Sequence, residues 1–144
     1  MRYLIILSLL VIQLLSGCLG KGVAPSKVPA GDNVGPVITD ITTSSKGFSI
    51  DCIPTSMTVT ANITDSSAVE GAVLWYRVGT DQPYTPVDMD SSAGNNYNTT
   101  IKALDIPVGK SGRWEFYITV QDKVGNQSQS PLDTSVQLLL CVSH

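Results

Sequence analysis

The chain has 144 residues, 15% of them charged, and a formal net charge of -3. That length holds one domain beside a leader and a linker, and an acidic balance excludes the basic footprint that nucleic acid requires. The only histidine is His144, the final residue, so neither a Ser-His-Asp nor a Cys-His centre has a held imidazole to work with. Residue types alone leave a paired-carboxylate hydrolase open, but no carboxylates sit in an identifiable cleft. The sequence assigns no catalytic residue, no enzyme activity and no cofactor.

Arg2 opens the chain as a minimal basic n-region, and an apolar run follows from Leu4 to Leu15, interrupted only by Ser8 and Gln13. A bilayer span needs about 20 apolar residues, so this shorter run has the shape of a cleaved signal. It ends in Leu15-Ser16-Gly17-Cys18. That order of aliphatic, small, glycine and cysteine resembles the lipobox of bacterial lipoproteins. The resemblance implies a signal peptide over residues 1–17, cleavage before Cys18, diacylglyceryl on its thiol and usually an acyl group such as palmitate on its new amine. It places the protein in a bacterial cell envelope, anchored to the lipid bilayer with its domain on the exported side. Two or three chains anchor stably, at about 0.8 kcal/mol per buried methylene. A generic signal peptide with a chance cysteine is the alternative.

Three cysteines are an odd number for an exported chain. Lipidation of Cys18 leaves Cys52 and Cys141 to pair, and an oxidising compartment permits that disulfide. Closing a loop of about 90 residues contributes roughly 4–5 kcal/mol in the chain-entropy view, less any strain. Two buried free thiols are the alternative. Residues 18–35 are rich in Gly and Pro and bury too little to order themselves. They read as a lipidated, flexible tether reaching roughly 20–25 Å on average.

The domain is expected over residues 36–144. Val37–Thr42 opens it. Phe48, Ile50 and Cys52 alternate with Ser49 and Asp51 as a second short strand, ended by Pro54. Met57, Val59, Ala61 and Ile63 alternate with Thr58, Thr60, Asn62 and Thr64, a clean period-two pattern with one core-facing row. Ala72–Val78 places Ala72, Leu74, Tyr76 and Val78 on one face, with Val73, Trp75 and Arg77 on the other. Pro86–Asp90 adds a short edge piece. Tyr97–Ala103 and Arg113–Gln121 follow, the latter with Trp114, Phe116, Ile118 and Val120 inward and Glu115, Tyr117, Thr119 and Gln121 outward. A turn at Gly125-Asn126 leads to Ser135–Val142. About seven short strands separated by Gly, Pro, Asp and Asn turns predict an all-β, antiparallel sandwich.

The run Phe116-Tyr117-Ile118-Thr119-Val120-Gln121-Asp122-Lys123-Val124-Gly125-Asn126 resembles the penultimate strand and hairpin of bacterial Ig-like and fibronectin type III-like surface modules. Ile63-Thr64-Asp65 and Leu74-Trp75-Tyr76-Arg77 resemble two earlier strands of the same modules. The resemblance covers about 100 residues and implies a fold and a surface setting without an activity. One departure concerns the bridge. Antibody-type domains link two central strands across the core, whereas Cys52 and Cys141 would staple the first and last parts of the domain.

In an Ig-like sandwich the strands carrying Trp75 and Tyr117 are neighbours, so the two rings become cross-strand partners flanked by Arg77 and Glu115. One reading is an aromatic and charged platform for a sugar ring or a protein. The other is a ring pair that only stabilises the sheet, by roughly 0.2–1 kcal/mol. Asp65 and Glu70 lie in one loop and Asp122 in another at the same end of that topology. Three carboxylates there would collect Ca²⁺ with a thin ligand set, since the ion takes about six to eight oxygens. Turn formation by aspartate accounts for them more simply. The chain therefore reads as a non-catalytic binding or adhesion module recognising a glycan or an envelope protein. The alternative is a structural spacer or assembly subunit docked by an exposed sheet edge.

Overall fold

A computed structural model describes residues 31–106 and 111–139. The signal, Cys18, most of the tether and Cys141 lie outside the described residues. Ten strands follow in order: β1 Val37–Thr43, β2 Gly47–Ser49, β3 Ser56–Thr64, β4 Val69–Val78, β5 Thr85–Asp88, β6 Asp90–Ser91, β7 Asn96–Lys102, β8 Gly112–Asp122, β9 Gln127–Gln129 and β10 Asp133–Leu139. One turn of 3₁₀ helix, Ala103–Asp105, follows β7.

The strands form two sheets. One has the order β1-β3-β7-β6, and the other β2-β10-β8-β4-β5, with β9 also pairing to β8. This is the strand order of an immunoglobulin-type sandwich. Every pair is antiparallel except β2 with β10. The exception follows from connectivity. After running antiparallel to β3, the chain crosses to the second sheet between Thr43 and Gly47, and continuing in the same direction brings it parallel to β10.

Alternation decides which residues enter the core. On β3, Met57, Val59, Ala61 and Ile63 are buried while the intervening Thr and Asn side chains stay at the surface. Opposite them lie Ala72, Leu74, Tyr76 and Val78 of β4 and Trp114, Phe116, Ile118 and Val120 of β8, all in one buried cluster. Trp114 is at its centre, with ring centroids 4.8 Å from Phe116, 5.5 Å from Tyr76 and 5.9 Å from Phe48. Each buried aromatic removes roughly 150–250 Å² from water, at about 25 cal/mol per Å² of apolar area.

Two strand expectations are corrected. The strand over Phe48–Cys52 stops at Ser49, because the Ser49 N–H donates to Pro54 O at 2.9 Å and folds the chain back. Phe48 and Ser49 are both buried, Ile50 is half-buried, and Cys52 is exposed rather than in line with Phe48. The last strand begins earlier than Ser135 and is preceded by β9. Ser130 prolongs the β9 pairing, its Oγ accepting from Ile118 N at 2.9 Å, and Pro131 then interrupts the ladder.

Phe116→Ala should destabilise the domain by about 3–5 kcal/mol through cavity formation, whereas Leu104→Ala, at a site 78% exposed, should stay within about 0.5 kcal/mol. Urea unfolding of the two variants checks the contrast.

Candidate functional site

The outer face of β4 and β8 carries the first candidate. Their register sets Trp75 directly opposite Tyr117 and Arg77 directly opposite Glu115. The Trp75 and Tyr117 rings stack 9° from parallel with centroids 6.2 Å apart, within the range of offset aromatic pairs. Trp75 Nε1 donates to Thr119 Oγ1 at 2.8 Å, which fixes the indole. Arg77 Nη2 and Nε lie 2.7 and 2.8 Å from Glu115 Oε2, and this bond pushes the guanidinium further up from its ordinary pKa. The structure thus brings Trp75, Arg77, Glu115 and Tyr117 into one patch.

A fifth member, Tyr84, escaped the sequence reading. Its ring meets Tyr117 edge-on at 5.0 Å, and Arg77 Cζ sits 4.5 Å above it. Tyr84 precedes β5, so no strand periodicity marks it. The hairpin register does. Pro86 pairs with Trp75, and two places further along, Tyr84 falls across from Arg77.

The second candidate lies at the end where β3 joins β4 and β8 joins β9. Carboxylate oxygens of Asp32, Asp65 and Asp122 lie within 4.8 Å of one another. Glu70, expected beside Asp65 and Asp122, is exposed and outside this group. It sits where the β4–β8 register shifts, between Val69, which pairs with Asp122, and Gly71, which pairs with Gln121. Asp32 takes the third place, from a segment read as flexible tether. Its Oδ2 accepts from the hydroxyls of Ser66, at 2.7 Å, and Ser67, and its Oδ1 accepts from Val34 N at 3.1 Å. Asn126 Nδ2 reaches the Asp32 and Val34 carbonyls at 3.4 Å and Asp122 Oδ2 at 2.7 Å. Gly35 fits tightly, since a Cβ there would lie 2.6 Å from Gln127 O. Residues 31–35 are therefore clasped onto the two loops.

Each aspartate already holds a turn. Asp65 Oδ1 accepts from Ser67 N at 2.6 Å, and Asp122 Oδ1 accepts from Val124 N at 2.9 Å and Asn126 N at 2.8 Å. Burial pushes the Asp122 carboxyl up. The hydrogen bonds from the Asn126 side chain and from the backbone N–H groups after it outweigh burial, so the pKa ends below the ordinary carboxylate value. Asp32 is also lowered, first by the Ser67 and Ser66 hydroxyls and then by Val34 N–H. These oxygens serve as turn and clasp acceptors.

No protein-family model matches the chain, and a comparison with curated proteins finds no match.

Groups with lowered pKa stabilise the folded state above their unfolded values and lose that contribution as pH falls through the folded ones. The urea midpoint should therefore drop as pH falls below about 4, the range in which free carboxylates protonate. Asp122→Asn should lower the midpoint at neutral pH, and its deficit against the native chain should shrink on acidification. Unfolding series between neutral and acidic pH read both effects.

Proposed function

We propose that this chain is a non-catalytic binding module, lipid-anchored through Cys18 in a bacterial cell envelope, that recognises a glycan or a protein with the face around Trp75 and Tyr117. The observation that carries the reading is the assembly of three aromatic rings and one ion pair on the water-facing side of β4, β8 and the β4–β5 hairpin. Aromatic and arginine side chains are the usual anchors of recognition. Position supports it as well. Residues 31–36 enter the domain beside the β3–β4 and β8–β9 loops, while Arg77 and Glu115 lie one place from the β4–β8 pair Val78 and Trp114 at the opposite end. A tether attached at the first end leaves the aromatic patch on the side of the sandwich, nearer the end far from the tether.

A Cys52–Cys141 disulfide belongs to the same reading. The parallel pairing of β2 with β10 sets Ser49 beside Leu139, and Cys52 and Cys141 follow those residues by three and two positions. A bridge between them would then lie near β2, the edge strand of the second sheet. The competing role, a spacer or assembly subunit docked through a sheet edge, meets edges poorly shaped for it. The β1 pairing is broken by a register shift between Thr39 and Thr42, with Asp40 at φ 50°, and β5 carries Pro86. Bulges and proline are the usual means of keeping an edge from pairing.

Cys18→Ser should give an unprocessed or soluble product without lipid. A mature, membrane-bound, lipid-carrying Cys18→Ser protein would rule out the anchor. For recognition, Trp75→Ala should abolish retention of an envelope partner while the protein still melts cooperatively. Trp114, fully buried, leaves Trp75 as the tryptophan reporting the surface, so acrylamide quenching of its emission should fall when a partner is bound. Equal retention by native and Trp75→Ala proteins would move recognition elsewhere.

A further inference from the structure

Beside the far end of β4, between the β4–β5 hairpin and the 3₁₀ turn, lies a cleft of about 260 Å³ lined by Tyr76, Val78, Gln82, Thr85, Asp105 and Ile106. That is below the roughly 300–1,000 Å³ of sites for drug-sized molecules, so it has room for one side chain. Val78 and Ile106 belong to the buried core and make part of its wall apolar. The polar groups around it are mostly acceptors without donors. The Tyr76 hydroxyl and the Asp105 carboxylate make no hydrogen bond or ion pair among the described residues, although Tyr76 is only 6% exposed. Burial, and after it the Asp105 charge, push the Tyr76 hydroxyl's pKa up, so it stays a neutral group with lone pairs to offer. Gln82 Nε2 donates to Asp81 Oδ2 at 3.3 Å, which leaves its Oε1 as an acceptor.

The nearby cations do not answer these acceptors. Arg77 borders the cleft, but its Nε and Nη2 are held by Glu115 Oε2 and its Nη1 donates to Thr80 O at 3.1 Å. Lys102 pairs with Ser56 on the outer row of β7, and Arg113 lies on the outer row of β8. We propose that this cleft takes the ammonium group of a lysine side chain on a basic protein partner. An ammonium carries three donors and no acceptor. Its methylene stem can lie along Val78 and Ile106 while the head reaches the polar groups. Asp105, Tyr76 and Gln82 stand on three separate elements, which suits a compact charge with rotatable donors better than the planar fork of a guanidinium. The field of the domain favours such a partner as well. All 12 acidic residues, but only six of the nine Lys and Arg, lie from Asp32 onward, and an acidic surface steers a basic one toward it. The cleft is separate from the aromatic face and its assignment stands whatever that face takes.

Full-length, ¹⁵N-labelled protein in detergent would be titrated with a capped Ala-Ala-Lys-Ala-Ala peptide, with the norleucine and arginine versions of it, and with butylamine, following the amide shifts of Asp105 and Ile106. The lysine peptide should shift both saturably, with a Kd on the order of 1 mM. The norleucine peptide should shift neither, and the arginine peptide should bind more weakly. Asp105→Asn should weaken lysine binding by at least about tenfold and Tyr76→Phe by about threefold, in keeping with loss of a charged and of a neutral hydrogen bond. Asp88→Asn removes an exposed charge that is not part of the cleft and should leave binding unchanged. Equal losses in Asp105→Asn and Asp88→Asn would mean general attraction only and overturn the site. Equal binding of the norleucine peptide, or no binding of the lysine peptide or butylamine, overturns it too. Equal binding of the arginine peptide overturns the choice of ammonium. Shifts with butylamine and none with the lysine peptide overturn the protein partner and leave a free amine as the ligand.

Discussion

From Ala72 to Val78, β4 lies against β8 with every residue matched, and this one register builds both faces of the second sheet. Ala72 with Val120, Leu74 with Ile118, Tyr76 with Phe116 and Val78 with Trp114 point into the core. Val73 with Thr119, Trp75 with Tyr117 and Arg77 with Glu115 point out. A slip of β4 by one residue would turn that strand over, placing Arg77 in the core and Ala72, Leu74, Tyr76 and Val78 in water. The core row and the aromatic row therefore hold each other in place. The cost of exposing Leu74, Ile118 and Phe116 is what keeps Trp75 beside Tyr117.

The ends of the sandwich are finished differently. At one end, Asp32 and Asn126 gather the segment leading into β1, the β3–β4 loop and the β8–β9 loop through side-chain hydrogen bonds. Lys123 N also donates to Ala68 O at 3.0 Å, which anchors Ala68 in its left-handed conformation at φ 69°. At the other end, the chain after β2 and the 3₁₀ turn after β7 meet through Ala103 N and Thr55 O at 2.9 Å, and Ile53 and Leu104 are left almost wholly exposed, at 95% and 78%. A pull on residues preceding Asp32 reaches the clasp before it reaches the β1–β3 ladder. Only then does it load hydrogen bonds between strands, whose rupture exposes core. The first end is therefore suited to bear a tether.

Strands with one buried row were legible in the sequence, since alternation alone places Met57–Ile63, Ala72–Val78 and Trp114–Val120 on the core side. The Trp75 and Tyr117 pairing was legible too, because two outward aromatics on strands that neighbour each other in an Ig-like order have to meet. Three things were not. Tyr84 lies in a hairpin arm too short to show a period. Asp32 lies in a stretch whose Gly and Pro content signals disorder, and its order comes from Ser66, Ser67 and Asn126, partners 34, 35 and 94 residues away. Cys52 continues the apparent alternation of Phe48 and Ile50, yet the turn closed by Ser49 N–H and Pro54 O ends the strand at Ser49. For Asp32 the deciding contacts are tertiary, and for Tyr84 and Cys52 they are hairpin and turn bonds that apolar alternation does not encode.

The same bonds that tie the aromatic patch to the sheet also bear on the recognition proposed for it. Trp75 is held by Thr119, Arg77 by Glu115 and Thr80, and Tyr84 by Arg77 and Tyr117. Cross-strand pairs of this kind stabilise a sheet by about 0.2–1 kcal/mol each. They also remove rotamer freedom that a ligand would otherwise have to freeze, at about 0.5–1.5 kcal/mol per side chain. Stabilising the sheet and preparing a surface are then one arrangement seen from two sides. They separate chemically at the indole: the Nε1 bond to Thr119 ties Trp75 to the sheet, while its ring carbons supply the apolar area. A ring without the N–H retains most of the contact surface and loses the tether to Thr119, so under the proposed role affinity and rigidity at this position would depend on different atoms of one side chain.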